Sequence, residues 1–271
     1  MTGSAVERPP SPARGWSVER IAGTLLVAMW AALGLGIALY LLSAWDPELF
    51  ERYGPTYLSG LGVTMTLVVI SIVLGALLSV PIAYARMSDN RLLAGPAYAY
   101  VYFFRGTPLL AQTFLIYYGL GAFRPELEAV GLWGFFREAW YCAILAFSLN
   151  SAAYQAEILR GAVESVGRGQ WEGALSLGLS RMRTMRKVIL PQALIVGLRP
   201  YGSEIILLIK GSAIVAIITV YDLMGETRRA YSRTFDFQTY LWAALIYLAM
   251  VEALRNVVEG IERRITLHLK R

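Results

Sequence analysis

The clearest functional signal in the sequence is a set of regularly spaced apolar side chains within a highly charged stretch. They recur at i, i+3, i+4, i+8 and i+11, which places them on one side of a helix: Trp171, Ala174, Leu175, Leu179 and Met182. Gly178 and Ser180 interrupt this pattern, and Ser180 is a suitable N-cap for a second short helix. Such a face predicts a docking surface for a partner protein by helix-in-groove binding. The alternative is an amphipathic helix that lies on a lipid surface.

A second group of residues brings polar chemistry into apolar surroundings. Glu204 shares an apolar run with Lys210, and a carboxylate in hydrocarbon is costly enough to predict a functional contact or an internal partner. We expect Glu204 either to meet a cationic substrate or to pair with Lys210. Asn150, Tyr154 and Gln155 are expected either to line the same substrate path or to form hydrogen bonds between helices.

Side chains suited to catalysis are scarce. The 271 residues include 1 cysteine, Cys142, and 1 histidine, His268. These numbers exclude an internal disulfide framework, His-ligated metal chemistry, and Ser-His-Asp or Cys-His catalysis. We therefore predict a chain that is not an enzyme and that needs no metal or cofactor.

The elements that position these residues are long apolar segments. The chain is 56% hydrophobic and 16% charged, with a mean hydropathy of +0.51, whereas average chains are about a quarter charged. Because roughly 20 apolar residues cross a bilayer as a helix, six spans are predicted: 22–44, 58–85, 92–123, 139–156, 188–221 and 237–254. Gly106 and Pro108 predict a break in the third span, just after Arg105.

Positive charges between the spans indicate their orientation, since Lys and Arg favour the cytoplasmic side. Four segments are then cytoplasmic: 1–21, 86–91, 157–187 and 261–271. The outward loops hold fewer positive charges, although Arg228, Arg229 and Arg233 run against the rule. The same clustering accounts for the net charge of +6 without a nucleic-acid partner.

The charged stretch resembles the EAA loop of ABC importer permeases. That pattern is E-A-A, three residues, G, nine residues and I-x-L-P, and here it stands as Glu172, Gly173, Ala174, Gly178, Val188, Leu190 and Pro191. Gly173 and Val188 depart from it, while the spacing is kept. Four further segments look like the polar amino acid permease family of type I ABC importers: GLGVTMTL (60–67), FFRGTPLLAQTFLIYYG (103–119), FSLNSAAYQAEILRGAVESVGRGQWEGA (147–174) and LRPYGSEIILLIKGSAIV (198–215). Within that family, Pro200, Tyr201 and Glu204 resemble the histidine and octopine M-type subunits.

The resemblance covers residues 58–264 and implies an all-α integral membrane protein. It implies a five-helix permease core at 58–260 that contains a coupling loop at 157–191, with 22–44 as an additional N-terminal membrane helix. In the family, the EAA helix sits in a cleft of the ATPase. Carried over, this predicts the ATPase-coupling positions Trp171, Glu172, Gly173, Ala174, Leu175, Gly178, Leu179 and Met182.

The resemblance also implies partners: a cytoplasmic ATPase dimer, a second permease subunit that is identical or homologous, and an extracytoplasmic solute-binding protein. Because the chain has no G-x-x-x-x-G-K-[ST] loop, ATP hydrolysis is expected on a separate subunit. The expected function is import of polar amino acids, with basic amino acids or opines favoured, across the cell inner membrane. Two other classes stay open: an ion-gradient-driven secondary transporter, in which repeated halves are expected, and a membrane scaffold with a docking loop.

Overall fold

The computed structural model describes residues 17–43 and 45–266. Most of the predicted tail at 1–21 and the end of the basic tail, residues 267–271, therefore lie outside the described residues. The chain divides into two compact units, Met1–Phe50 and Glu51–Arg271. Throughout the described residues, the secondary structure is helical.

The first unit contains helix α1, Val18–Ser43, and the start of helix α2. The backbone N–H of Arg20 donates to the Ser17 hydroxyl at 3.3 Å, so Ser17 caps the first turn of α1. The α1 helix has 26 residues with a hydropathy of 2.3 over its central window, enough to cross a bilayer. It contains almost all of the predicted first span, 22–44.

In the second unit, the helices follow the predicted spans, with one break. Helix α2 is Pro47–Arg86 and helix α3 is Arg91–Gly106. Asn90 caps α3, because its side chain accepts the Leu92 N–H at 3.0 Å. After Thr107 and Pro108, the chain resumes as α4, Leu109–Phe114, and a π-helical turn, Leu115–Gly119. The break predicted at Gly106 and Pro108 is confirmed.

The remaining elements alternate long helices with short ones. They are α5 Arg124–Ala129, α6 Trp133–Phe136, α7 Ala139–Glu164, α8 Arg168–Ser176, α9 Arg181–Thr184, a π-helical turn Met185–Ile189, α10 Leu190–Gly211, a 3-10 turn Ser212–Ile218, α11 Leu223–Thr234 and α12 Gln238–Thr266. Four described segments are long and apolar enough to cross a membrane: α1, α2, Arg181–Ile218 and α12. The other two predicted spans correspond to α3 with α4, and to α7.

Several boundaries differ from the sequence prediction, including the start of α2 at Pro47, where the second span is predicted from residue 58. The cytoplasmic connection predicted at 157–187 is still part of helix α7 as far as Glu164. Ion pairs of Arg160 with Glu157 at 2.9 Å and with Glu164 at 2.6 Å stabilise this extension of the helix. Similar pairs of Arg255 and Arg263 with Glu259 extend α12 through residue 266, into the predicted tail. The fifth span, predicted to end near residue 221, instead stops being α-helical at Gly211.

The core of the second unit lies where α7 packs against α3 and α10. Phe147 of α7, Leu67 of α2 and Ile209 of α10 belong to one buried cluster. Ala143 and Ala146 of α7 are 0% exposed, and such small side chains let helix backbones approach closely. Since lipid is as apolar as leucine, close packing and polar contacts between helices hold such a bundle together.

Candidate coupling and transport sites

The EAA-like segment folds as a short helix that ends in a left-handed turn. Gly178 has a φ of +78°, a conformation that costs other residues about 1–2 kcal/mol. Its N–H donates to the Leu175 carbonyl at 2.9 Å, and the Leu179 N–H donates to the Ala174 carbonyl at 3.2 Å. These two bonds form a Schellman motif, which satisfies the last carbonyls of α8. The predicted apolar stripe is therefore not one continuous helical face.

The two halves of the stripe point in different directions. Trp171 is half-buried and packs against a cluster that includes Ala162 and Ile189, and Ala174 is 5% exposed. By contrast, Leu175 is 42% exposed and Met182 is 59% exposed. The inner half anchors α8 on its own chain, so only the outer half is free to meet a partner.

The remaining predicted coupling positions lie on the outer surface of this element. Glu172, Gly173 and Gly178 are exposed and Leu179 is half-buried. Leu177 was missed by the sequence prediction because it lies off the helical spacing, yet it is 84% exposed at the turn. The signal that could have identified Leu177 is its position directly before the turn glycine.

Ser180 occupies the N-cap position of α9 but does not use its hydroxyl. Its backbone is extended, and its carbonyl accepts the Thr184 N–H at 2.8 Å. No side-chain capping bond forms there, and α9 passes after four residues into the π-helical turn. Ser180 therefore stands at the predicted N-cap position of the second short helix, but it contributes only its backbone carbonyl.

Two of the three predicted substrate-path residues on α7, Asn150 and Gln155, form hydrogen bonds to other helices. The Asn150 side-chain amide donates to the Phe104 carbonyl and to Gln112 Oε1, both at 3.0 Å. The Gln155 amide donates to the Ile72 carbonyl at 3.1 Å and to Ser151 Oγ at 2.9 Å. These bonds connect α7 to α2, α3 and α4.

Glu204 ends the same network. Its carboxylate accepts a hydrogen bond from Ser151 Oγ at 3.3 Å and is 4% exposed. In the described part of the chain, no ion pair joins Glu204 to Lys210, which is exposed. The Glu204 carboxylate is therefore closed off from solvent in this structure.

A charged cluster that the sequence prediction missed lies beside this network, just beyond the fourth predicted span. The Glu157 carboxylate forms ion pairs with Arg86 and Arg160, with nitrogen–oxygen distances of 3.0 Å and 2.9 Å. Arg105 lies farther away, at 3.7 Å. The Arg105 guanidinium also lies 5.2 Å from the centre of the Tyr154 ring. Burial by itself would raise the pKa of Glu157, but hydrogen bonds from Arg160 and Arg86 outweigh it and lower the pKa. The cluster joins the end of α2 to α3 and α7.

Comparison with known proteins identifies the family of the chain. The profile of the family described as "Binding-protein-dependent transport system inner membrane component" matches residues 71–267. The chain is 40% identical to the nopaline transport system permease protein NocM of Agrobacterium fabrum, over 83% of this chain and 94% of that protein. It is 35% identical to the arginine ABC transporter permease protein ArtM of Haemophilus influenzae, over 80% of this chain and 95% of the relative.

Solved structures show the same fold. A crystal structure of an amino acid ABC transporter with histidines superposes with a TM-score of 0.73 and 35% identity, over 82% of this chain and 99% of that one. The inward-facing methionine transporter MetNI gives a TM-score of 0.61 at 20% identity, which supports the fold alone.

These matches also separate the classes left open by the sequence. Members of this family work with ATPase and binding-protein partners in the inner membrane, and ATP is hydrolysed on a separate subunit, so the chain is not an enzyme. Nothing in the comparisons supports an ion-gradient-driven secondary transporter. The chain belongs to the binding-protein-dependent transport system inner membrane component family, as a permease subunit of an ABC importer.

Proposed function

We propose that this permease carries basic amino acids or opines into the cytoplasm. The support is the set of relatives, since proteins named for nopaline, arginine and octopine transport are 35–40% identical to the chain. Nopaline, arginine and octopine each contain a guanidinium group and a carboxylate. We therefore expect the transported substrate to be a polar compound that resembles an amino acid. The proposed domain organisation is a permease domain at 58–260, a separate membrane helix at 22–44, and tails at 1–21 and 261–271.

The proposed orientation has both termini in the cytoplasm. The basic residues of the coupling loop support this orientation, because Arg181, Arg183 and Arg186 are all exposed. The opposing charges, Arg228, Arg229 and Arg233, lie on α11. There Arg229 contacts Glu226 at 3.6 Å, which offsets part of their positive charge.

We propose that α8 and its terminal turn, within the coupling loop 157–191, transmit ATPase closure to the membrane helices. The observation that carries this proposal is the exposed Schellman turn at Gly178, flanked by Leu175, Leu177 and Met182. Trp171 and Ala174, on the inner side, anchor the same helix. A displacement of the turn would therefore be transmitted to the buried cluster that includes Ile189 and Ala193 of α10 and the turn before it. Glu172, Gly173 and Leu179 complete the contact surface.

The proposed partners are a cytoplasmic ATPase dimer, a second permease subunit and an extracytoplasmic binding protein. For coupling to work, ATP has to bind one conformation of this assembly more tightly than the other. The network of Asn150, Gln155, Ser151 and Glu204 crosses the interfaces that would change, because it connects α7 with α2, α4 and α10. We propose that Glu204, with Asn150, Tyr154 and Gln155, meets the cationic substrate only in the conformation that opens these interfaces.

Cysteine cross-linking tests the coupling proposal directly. The native Cys142 is 0% exposed and serves as a silent background. We expect Leu175→Cys and Leu177→Cys to cross-link to the ATPase in the assembled complex. Leu248→Cys, 62% exposed on α12, is the matched control and should not react with the ATPase. Lipid labelling of positions 175 and 177 without ATPase cross-links would instead favour a helix that lies on the membrane surface.

Uptake into proteoliposomes tests the transport proposal. Vesicles with the complete complex should accumulate labelled arginine or octopine only with ATP inside and binding protein outside. Glu204→Gln should reduce uptake of cationic substrates more than uptake of neutral ones. Equal effects on both classes would remove Glu204 from the substrate path and leave it a helix-packing residue.

A further inference from the structure

A cavity of about 370 Å³ opens beside the Glu157 cluster, where α2 ends and α3 crosses α7. Its lining includes Arg86, Tyr98, Tyr102, Arg105 and Glu157. The cavity is separate from the coupling turn, and its lining does not include Glu204. One proposed substrate-path residue, Tyr154, belongs to the lining, but the charged groups of the cavity take no part in either proposed role. Its chemistry therefore calls for its own explanation.

The charge balance around this cavity is positive. Glu157 is the only acid in its lining, whereas Arg86 and Arg105 are both present there. Within the lining, two guanidinium groups thus face one carboxylate, and one positive charge is left over. Outside the lining, Arg160 contacts Glu157 and pairs with Glu164 at 2.6 Å, and Arg105 interacts electrostatically with Glu204. A ligand with a single negative charge would neutralise the cluster.

Hydrogen-bond donors are also left over at the cavity. Arg86 uses its Nε for Glu157 at 3.0 Å, and its guanidinium carbon lies 4.9 Å from the Tyr98 ring centre. Arg105 approaches Glu157 only to 3.7 Å, and within residues 17–43 and 45–266 its guanidinium makes no shorter polar contact. Its side chain is 43% exposed. A guanidinium has five N–H donors in a planar fork, which suits the oxygens of a phosphate group.

The rim of the cavity is aromatic and open. Tyr98 and Tyr102 lie one helical turn apart on α3, stacked with ring centres 5.9 Å apart. They are 53% and 70% exposed. Tyrosine is enriched at headgroup depth in membrane proteins, because its ring is apolar and its hydroxyl is polar. An amphiphile fits this setting better than a soluble anion does, since its tail can lie along the rings.

We propose that this cavity binds the phosphate of an anionic phospholipid headgroup. The phosphate lies between the guanidinium groups of Arg105 and Arg86, and the acyl chains leave past Tyr98 and Tyr102. Basic pockets between membrane helices bind anionic headgroups by the same chemistry. A bound lipid would then brace α2, α3 and α7 at the point where Glu157 joins them. The proposal does not depend on the transported substrate or on the ATPase contact.

Native mass spectrometry of the complete detergent-purified complex tests this site. The complex is titrated with phosphatidylglycerol and, separately, with phosphatidylcholine of the same chain length. We expect phosphatidylglycerol to bind more tightly, and Arg105→Gln to weaken that binding about fivefold. The control Arg124→Gln removes an exposed charge from α5, where Arg124 pairs with Glu128 at 2.7 Å, and should leave the affinity unchanged.

A second pair of variants keeps the test decisive if Arg105→Gln does not assemble. Tyr102 is exposed enough to accept a charge, so Tyr102→Glu should weaken phosphatidylglycerol binding, while Tyr102→Gln should change it little. Any of these results would overturn the proposal: equal binding of both lipids, equal effects of Arg105→Gln and Arg124→Gln, or equal effects of the two Tyr102 variants. Displacement of the lipid by millimolar inorganic phosphate would also overturn it, because the site would then be one for free phosphate.

Discussion

The turn at Gly178 offers the sharpest test of the coupling proposal, because it isolates backbone conformation from steric contact. A Cβ built at Gly178 meets no atom within 4 Å, so Gly178→Ala adds no clash. The φ of +78° is still unfavourable for alanine, by about 1–2 kcal/mol. That cost lowers the population of the intact turn by a factor of roughly 5–30.

The same helix contains a matched control, Gly173. It lies in the proposed contact surface, but the E-A-A pattern has alanine at this position, so Gly173→Ala installs the residue of the pattern. Gly173 is also free of neighbours within 4 Å, but it lies inside α8. Alanine there should stabilise the helix by about 0.5–1 kcal/mol. Gly178→Ala is thus expected to destabilise the coupling element and Gly173→Ala to stabilise it, although the two positions are only five residues apart.

The assay is ATP-driven uptake by proteoliposomes, together with ATPase activity stimulated by the binding protein. We expect Gly178→Ala to lower both by several-fold and Gly173→Ala to lower neither. Gly178→Asn should recover most of the loss, since asparagine tolerates the left-handed conformation. If Gly178→Ala and Gly173→Ala transport equally well, the turn does not transmit closure and the reasoning fails.

Three further predictions concern stability, measured as the midpoint of thermal unfolding in detergent. Gly60→Ala places a Cβ 2.9 Å from the Asp222 carbonyl oxygen and should destabilise the protein by about 1–3 kcal/mol, whereas Gly62→Ala, with open space around it, should not. Asn150→Leu leaves Gln112 Oε1 without its donor and should cost about 1–3 kcal/mol, and an unchanged midpoint would contradict the hydrogen bond at 3.0 Å. Glu157→Gln should be destabilising at neutral pH. Because the folded pKa of Glu157 lies below its ordinary value of 4.5, the difference from the unmodified protein should stay constant down to about that pH and shrink below it. A difference that is independent of pH would exclude the ion pairs as its cause.

The spans and the coupling segment were predictable because their signals are local. A helix needs a run of apolar residues to cross a bilayer, and such a run is visible without knowledge of its neighbours. The break after Arg105 follows from Pro108, which cannot donate a backbone hydrogen bond. Gly178 marks a helix end for a similar reason, since glycine alone adopts the left-handed turn without penalty.

The roles of individual polar residues were not predictable, because they depend on which helices meet. Asn150 donates a hydrogen bond to Gln112, and Glu204 accepts one from Ser151 and, among the described residues, forms no ion pair with Lys210. No local sequence signal indicates these hydrogen bonds, because the two residues of each pair are far apart in the chain. Glu157, Arg86 and Arg105 come from three helices, and the cluster exists only after those helices pack.

The division of the apolar stripe has the same origin. Trp171 and Leu175 differ by one helical turn and look equivalent in the sequence, yet the first packs on its own chain and the second stays exposed. Hydropathy and the positions of glycine and proline thus determined the membrane helices and their breaks, and the resemblance of the EAA-like segment indicated the family. Tertiary packing alone decided which side chains are buried, which are paired and which are left for a partner, because burial and pairing belong to neighbours in space and not to neighbours in the chain.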